Sequence, residues 1–453
     1  MNNQTNIEKN DLVSWFSESI IIKVGLIGFL TILLLIPSNL IQELVSERQT
    51  RQLEITKEIT DKWSSKQLIE GPVLVLPHKK LIGNKDAAGK TVYKEIISNI
   101  YILPELLNVK SSVTPQILHR GIFGAVVYDS KVNVNGKFSE LEIEKSGVDP
   151  EMILWDKAKV VIGISDLKGM KNNPEIKLSE KTYQVEPDFT SLKLFTNNLI
   201  ILPDLSEGKR TSLNFSFNLD LRGSDELSFL PLGKSTLVSV NGKWKDPSFI
   251  GRYLPEERTI NENGFSANWK MPYFNRPFPQ QWEEVNSVLK TDDKASFGVK
   301  FMLPVDQYQK TMRTAKYSFL IILLTFISLL FTEMIQNKKV HLLQYVLIGA
   351  AMIIYYTLLL SFSEQVGFNY AYLIASVCTI VLIGLFMASL LKNKKAALIL
   401  SSILSIFYGF IFIIIQLQDL ALLYGSIGLF IIVATIMYLS SKIDWSKKQS
   451  AKE

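Results

Sequence analysis

YSFLIILLTFISLLFTEMI (317–335), LLQYVLIGAAMIIYYTLLLSF (342–362), YAYLIASVCTIVLIGLFMASLL (370–391), AALILSSILSIFYGFIFIII (396–415) and LALLYGSIGLFIIVATIMYL (420–439) follow one another with only short polar connections between them. A helix rises ~1.5 Å per residue, so ~20 apolar residues cross a hydrocarbon layer of ~30 Å. Each run has that length, and none has the polar face that a soluble surface helix requires. The polar residues inside the runs are mostly Ser, Thr, Tyr and Gly. Ser and Thr return hydrogen bonds to the backbone, and small residues let helices approach closely.

The connections alternate in charge. Residues 336–341 carry Lys338 and Lys339, and residues 392–395 carry Lys392, Lys394 and Lys395. The turns at 363–369 and 416–419 lack Lys and Arg and hold Glu364 and Asp419. Lys442, Lys447, Lys448 and Lys452 follow the last run, as does Trp445, a candidate interface anchor. Lys and Arg flanking membrane spans stay in the cytoplasm. The tail is therefore expected inside and the residues before Tyr317 outside. A sixth run, Ile20–Ile36, then has to carry the chain out. Its exit, Ile36-Pro37-Ser38-Asn39-Leu40, lacks a small-x-small cleavage pattern, and its start is not basic, so it reads as an uncleaved anchor. Lys23 sits where its stem can snorkel to headgroups. The expected order is a cytoplasmic segment (1–19), a first span (20–40), an exterior domain (41–316), a five-helix bundle (317–440) and a cytoplasmic tail (441–453).

The composition agrees. The chain has 453 residues, 47% hydrophobic and 20% charged, which places it between soluble and membrane classes. Its net charge of +6 arises largely from span-flanking Lys, so nucleic acid is not an expected partner.

Residues 41–65 read as a charged helix continuing from the membrane. Glu47–Arg51 and Glu58–Lys62 stand four apart, and Ile55, Ile59 and Trp63 form a narrow apolar stripe. A short helix, 305–316, is expected after Pro304. Between these stalks the period changes to two. Leu213, Phe215, Phe217, Leu219 and Leu221 alternate with polar residues, as a half-buried antiparallel strand does. Further strands are expected near 73–76, 94–103, 126–128, 159–164, 199–202, 265–270 and 297–303. Asn135-Gly136 and Asn241-Gly242 each follow a short strand and read as hairpin turns. The words Ile-Leu-Pro-acid, Arg-Gly and Val-Asn-Gly-Lys-aromatic occur in that order from Ile102 and again from Ile201. That order suggests two similar β units, about 70–140 and 180–303.

Motifs for chemistry are sparse. The single cysteine, Cys378, rules out an intrachain disulfide. His78, His119 and His341 lack metal-ligand spacing. Gly233-Lys234-Ser235-Thr236 resembles the end of a phosphate loop, but Ser228 stands where the loop's first Gly belongs. No catalytic, cofactor or metal residues are assigned, and the expectation is a non-enzyme. Ionisable groups within a membrane mark functional paths. The candidate polar positions there are Glu333 at the end of one span, and Glu364, Gln416, Gln418 and Asp419 at the turns without Lys.

The segments Asp220-Leu221-Arg222-Gly223-Ser224, Phe229-Leu230-Pro231-Leu232-Gly233, Trp244, Asp246-Pro247-Ser248-Phe249 and Gly264-Phe265-Ser266-Ala267-Asn268-Trp269 resemble the CreD family of bacterial inner-membrane proteins. So do Leu360-Ser361-Phe362-Ser363-Glu364, Tyr408-Gly409-Phe410 and Gln416-Leu417-Gln418-Asp419. The likeness spans nearly the whole chain and is densest after about residue 210, which adds Arg222 and Trp244 to the candidate positions. Gln418 replaces a carboxylate frequent in the family, which weakens an acidic pair there. The resemblance implies an inner-membrane protein with a large periplasmic domain, linked to a two-component regulon, envelope integrity, colicin tolerance and the response to cell-wall antibiotics. It carries no catalytic residues. The expected fold is six transmembrane helices with a β-rich periplasmic insert after the first. The expected partners are the lipid bilayer and other envelope proteins or cell-wall components. Two other functions fit the pattern: a transporter or lipid-handling protein using the bundle, and a periplasmic envelope-modifying enzyme.

Overall fold

The structure, a computed structural model, describes residues 20–85, 91–140, 148–188, 194–207, 211–283, 295–303, 307–336, 338, 340–417 and 420–441. The chain divides into two compact units, one of Met1–Arg51 with Val305–Glu453 and the other of Gln52–Pro304. Gln418, Asp419, Trp445 and the first 19 residues lie outside the described residues.

Helices α1 (Ile20–Trp63), α2 (Gln307–Lys316), α3 (Ser318–Gln336), α4 (Leu342–Val366), α5 (Phe368–Leu391), α6 (Lys394–Gln416) and α7 (Ala421–Ser441) account for both apolar regions. Six of them, all but α2, are long and apolar enough to cross a membrane. The helix α1 is unbroken through Pro37. Membrane helices tolerate such a proline because neighbouring groups take up the freed carbonyl. Ile27, Thr31, Leu34, Ser38, Ile41 and Val45 of α1 are buried, with spacings that alternate between four and three. That is the seam of a helix packed along its length on neighbours.

Three observations give the packing of α1. Lys23 pairs with Glu333. The Ser38 and Ser318 hydroxyls share a hydrogen bond of 2.5 Å. A Cβ at Gly349 would lie 2.5 Å from Leu34 Cδ1. The intervals 23–38 and 318–333 are equal, about 22 Å at a helical rise, so α1 runs antiparallel to α3 and rests on α4. His341 caps α4: its side chain accepts from Leu343 N–H and Gln344 Oε1 accepts from His341 N–H. The helix α7 has no buried residue among those described.

The second unit is a two-sheet sandwich. Its strands are β1 (Gln67–Lys85), β2 (Thr91–Ile102), β3 (Leu106–Arg120), β4 (Phe123–Phe138), β5 (Lys159–Ile164), β6 (Glu175–Leu178), β7 (Lys181–Gln184), β8 (Glu186–Pro187), β9 (Asn198–Ile201), β10 (Leu213–Ser224), β11 (Glu226–Phe229), β12 (Ser235–Gly242), β13 (Pro247–Gly251), β14 (Glu257–Asn261), β15 (Gly264–Met271), β16 (Gln281–Glu283) and β17 (Phe297–Phe301). One sheet runs β13-β17-β11-β1-β5-β9-β8, with β2 on the far half of β1 and β16 on β2. The other runs β14-β15-β12-β3-β4-β10-β6-β7. Aromatic contacts join their inner faces: Tyr128 meets Phe301 at 5.2 Å between ring centroids, and Trp269 meets Phe297 at 5.6 Å. A single buried core takes residues from both sheets. The β10 alternation holds, with Leu213, Phe215, Phe217, Leu219 and Leu221 all buried.

The hairpin expectation fails at both Asn-Gly pairs. Asn135 and Gly136 lie inside β4, which is paired on one side with β3 and on the other with β10. Gly136 is there for space: a Cβ would sit 2.1 Å from the Leu106 carbonyl oxygen and 2.4 Å from the Phe215 ring. Asn241-Gly242 likewise closes β12 in register with β3 and β15. The suggested duplication is not a repeated strand–turn–strand. Arg120-Gly121 turns between paired strands, whereas Arg222 and Gly223 are interior residues of β10 opposite Asp129 and Tyr128.

The carboxylate of Asp166 ties the end of α1 to the sandwich. It accepts hydrogen bonds from Ser65 N (2.8 Å), Ser65 Oγ (2.9 Å), Ser64 Oγ (3.2 Å) and Lys168 N (3.0 Å). Burial alone would raise its pKa, but these four donors outweigh it and leave the carboxyl below its ordinary value of 3.8. The native state therefore favours the ionised form. The stabilisation is complete above the ordinary value and is lost as pH falls through the lowered native one. Asp166→Ala is expected to cost about 2 kcal/mol in thermal or chemical unfolding at neutral pH, with the difference from wild type shrinking at strongly acid pH.

Candidate functional site

Three clusters of polar side chains are described in the helical unit. The first is the Glu333 end of the bundle. Glu333 is 6% exposed and is engaged twice, by Lys23 Nζ of α1 and by Tyr345 OH of α4, which donates to Oε2 at 3.1 Å. The ring of Tyr345 packs edge-on against Phe326 at 5.7 Å. Three helices thus converge on one carboxylate. Sequence reading marked Glu333 and saw Lys23 only as a snorkelling residue. Both belong to the end of the bundle where the Lys-bearing connections lie, and that was the available signal for pairing them.

The second place is the Glu364 end. Tyr308 OH donates to Glu364 Oε1 at 3.0 Å, and Arg48 Nε lies 3.9 Å from the same oxygen. Arg48 is 25 residues along α1 from Lys23, about 38 Å, so the two ion clusters of this helix bracket a length close to a bilayer's. Burial, then the Glu364 carboxylate as acceptor and as charge, pushes the Tyr308 hydroxyl well above its ordinary value. It stays protonated and donates. Two residues on, Lys310 donates to Gln416 Oε1 at 2.7 Å, and Gln416 Nε2 donates to Asn369 Oδ1 at 2.6 Å. Short helix α2 therefore holds Glu364 through Tyr308 and Gln416 through Lys310. Arg48, Tyr308, Lys310 and Asn369 were not singled out from sequence, because their partners are distant in the chain.

The third place is the bundle core. Tyr355 packs against Tyr356 at 4.8 Å, Tyr408 at 5.0 Å and Tyr372 at 6.1 Å. Tyr372 OH donates to the Tyr408 carbonyl at 2.7 Å. The hydroxyls of Thr325, Tyr355, Tyr356, Ser376 and Tyr408 are buried with no hydrogen-bond partner among the described residues. Tyr424 is 47% exposed on α7.

The remaining candidates belong to the sandwich. The Arg222 guanidinium stacks 4.5 Å from the Trp63 ring centre, with Nε 3.8 Å from Asp129 Oδ1. Trp244 Nε1 donates to the Met302 carbonyl at 3.2 Å, and its ring meets Phe301 edge-on. Lys234, from the segment resembling a phosphate loop, pairs with Glu105 at 3.1 Å. His78 Nε2 lies 3.1 Å from Glu283 Oε1, which also takes a bond from Lys80 at 2.8 Å. Among the described residues, no group of three or more His, Cys, Asp and Glu is placed to hold a metal ion.

A family described as "Inner membrane protein CreD" matches residues 19–446. The inner membrane protein CreD of Escherichia coli (strain K12) is 28% identical over 414 residues, covering 91% of each chain. The match takes in α1, the whole sandwich and all five C-terminal spans. The chain belongs to the CreD family of multi-pass inner membrane proteins.

Proposed function

We propose that this protein maintains the cell envelope and takes part in its stress response, without catalysing a reaction, through contacts made by a periplasmic β sandwich. On this reading both termini are cytoplasmic, residues 41–316 lie in the periplasm, and the helical unit is the anchor. The observation that carries it is the placement of Lys: Lys338 and Lys339, then Lys392, Lys394 and Lys395, occupy the connections on one side, and Glu364 a turn on the other. That threading exports a sandwich whose second sheet has an outward face dominated by polar side chains. Colicin tolerance and a changed response to cell-wall antibiotics are the expected phenotypes. Photoreactive residues at exposed positions of β10 and β14 are expected to capture envelope proteins or cell-wall material in living cells. Capture of cytoplasmic proteins alone, or turnover of envelope material by the purified protein, would overturn it.

A second reading, transport or lipid handling by the bundle, is favoured by the buried hydroxyls of Thr325, Tyr356 and Tyr408. An unpaired hydroxyl in an apolar interior costs about 1–3 kcal/mol, so such groups recruit internal water. A file of waters through α3, α4, α5 and α6 would provide a polar path. Tyr356→Phe and Tyr408→Phe abolishing a phenotype that loss of the sandwich leaves intact would favour this reading over the first.

A further inference from the structure

The outward face of the β14–β7 sheet carries a chain of asparagine amides across three strands. Asn108 Nδ2 of β3 donates to Asn135 Oδ1 of β4 at 3.2 Å. Asn135 Nδ2 donates to Asn133 Oδ1 at 3.1 Å. Asn133 Nδ2 donates to Asn218 Oδ1 of β10 at 2.7 Å. All three bonds point the same way, so each polarises the next, and the series ends on the amide NH2 of Asn218. Asn is depleted in strands, and a solvated sheet face needs only generic polar residues. Four amides aligned toward one point exceed what the fold asks for.

That point is a groove of about 410 Å³. Asn133, Ser216 and Asn218 line it from β4 and β10, Glu175, Lys177 and Thr182 from the β6–β7 hairpin, and Asn172 and Asn173 from the segment before β6. Its volume lies within the range of small-ligand sites. Its chemistry narrows the ligand. Lys177 and Glu175 cancel in charge, so the groove does not select an anion such as a phosphate or nucleic acid. The apolar residue in the lining, Phe217, is 2% exposed, so there is no pocket for the side chains of a peptide. What remains are amide and hydroxyl groups that both donate and accept, with strands ~4.8 Å apart and outward residues ~6.8 Å apart along each strand. This array matches the closely spaced hydroxyls of a sugar.

We infer that the groove bounded by Asn133, Asn218, Lys177 and Thr182 binds a neutral glycan, with the Asn218 amide donating to a ring hydroxyl. The source of that glycan, the cell wall, rests on the periplasmic reading above. The groove's binding chemistry does not, so the two fail separately.

The test uses the full chain in detergent micelles or nanodiscs, with a neutral oligomer of β-linked N-acetylglucosamine as probe, read by saturation-transfer NMR and titration calorimetry. Binding is expected, weakened at least tenfold by Asn218→Leu and by Thr182→Val, with unfolding temperatures close to wild type. Absence of saturation transfer at millimolar probe would overturn the inference. So would binding unchanged by Asn218→Leu and Thr182→Val, or preference for an extended peptide over the glycan. If photocapture in cells succeeds and the glycan test fails, the envelope role stands without this site.

Discussion

Glu333→Ala is expected to destabilise the helical unit by about 3–5 kcal/mol. The carboxylate is 6% exposed, and its removal strands two groups rather than one. Lys23 loses its counter-ion at a position where α1 is packed against α3, and Tyr345 loses its acceptor. Lys23→Ala should cost less than Glu333→Ala, because Lys23 is 25% exposed and Glu333 then keeps the Tyr345 hydrogen bond. Glu333→Gln should fall between wild type and Glu333→Ala, since the amide oxygen still accepts from Tyr345. Thermal aggregation in detergent gives the ranking directly. The exchanged pair Lys23→Glu/Glu333→Lys should recover part of the loss, and a double-mutant cycle would give the coupling. If Glu333→Ala melts within a degree of wild type, α1 is not held by this pair.

Gly136→Val is expected to cost about 3 kcal/mol or more, and to prevent accumulation of folded protein. The first added carbon falls 2.1 Å from the Leu106 carbonyl oxygen, which is backbone in the adjacent strand and cannot turn aside. It also falls 2.4 Å from Phe215, which is 3% exposed and already packed against Phe138 at 5.2 Å. Gly136→Ala should lose less, and Phe215→Leu in the same chain should return a part, because only one of the two collisions involves a side chain. A Gly136→Val protein with wild-type unfolding would mean that β4 is not clamped between β3 and β10.

The same glycine shows where sequence reading stopped. Asn135-Gly136 carries hairpin chemistry, and the local pattern has no way to show that a phenylalanine eighty residues away needs the space above it. Membrane spans were legible because length and apolarity are local: the observed Leu342–Val366 begins where the run at 342 begins, and Phe368–Leu391 ends with the run at 391. Strand β5 was legible to the residue, and β10 was legible through its alternation. Partners were not. Glu333 and Glu364 stood out as ionisable residues in or beside spans, yet the groups that hold them, Tyr345, Arg48 and Tyr308, become visible only when helices are brought together. Lys23 and Glu333 are 310 residues apart in sequence, and only the threading places both at one end of the bundle. The asparagine chain was hidden for the same reason, since its register across β3, β4 and β10 is a property of the sheet.

The side of the membrane on which the sandwich lies is the claim from which the proposed role and the source of the glycan follow. Cys378 is the one cysteine in the chain, so a Cys378→Ala background permits single-site labelling. Thr259→Cys on β14 and Lys338→Cys beside α3 place an exposed thiol on each side of the proposed threading. In spheroplasts, a membrane-impermeant maleimide is expected to label Thr259→Cys at once and Lys338→Cys only after permeabilisation. Immediate labelling of Lys338→Cys with protection of Thr259→Cys would contradict the account.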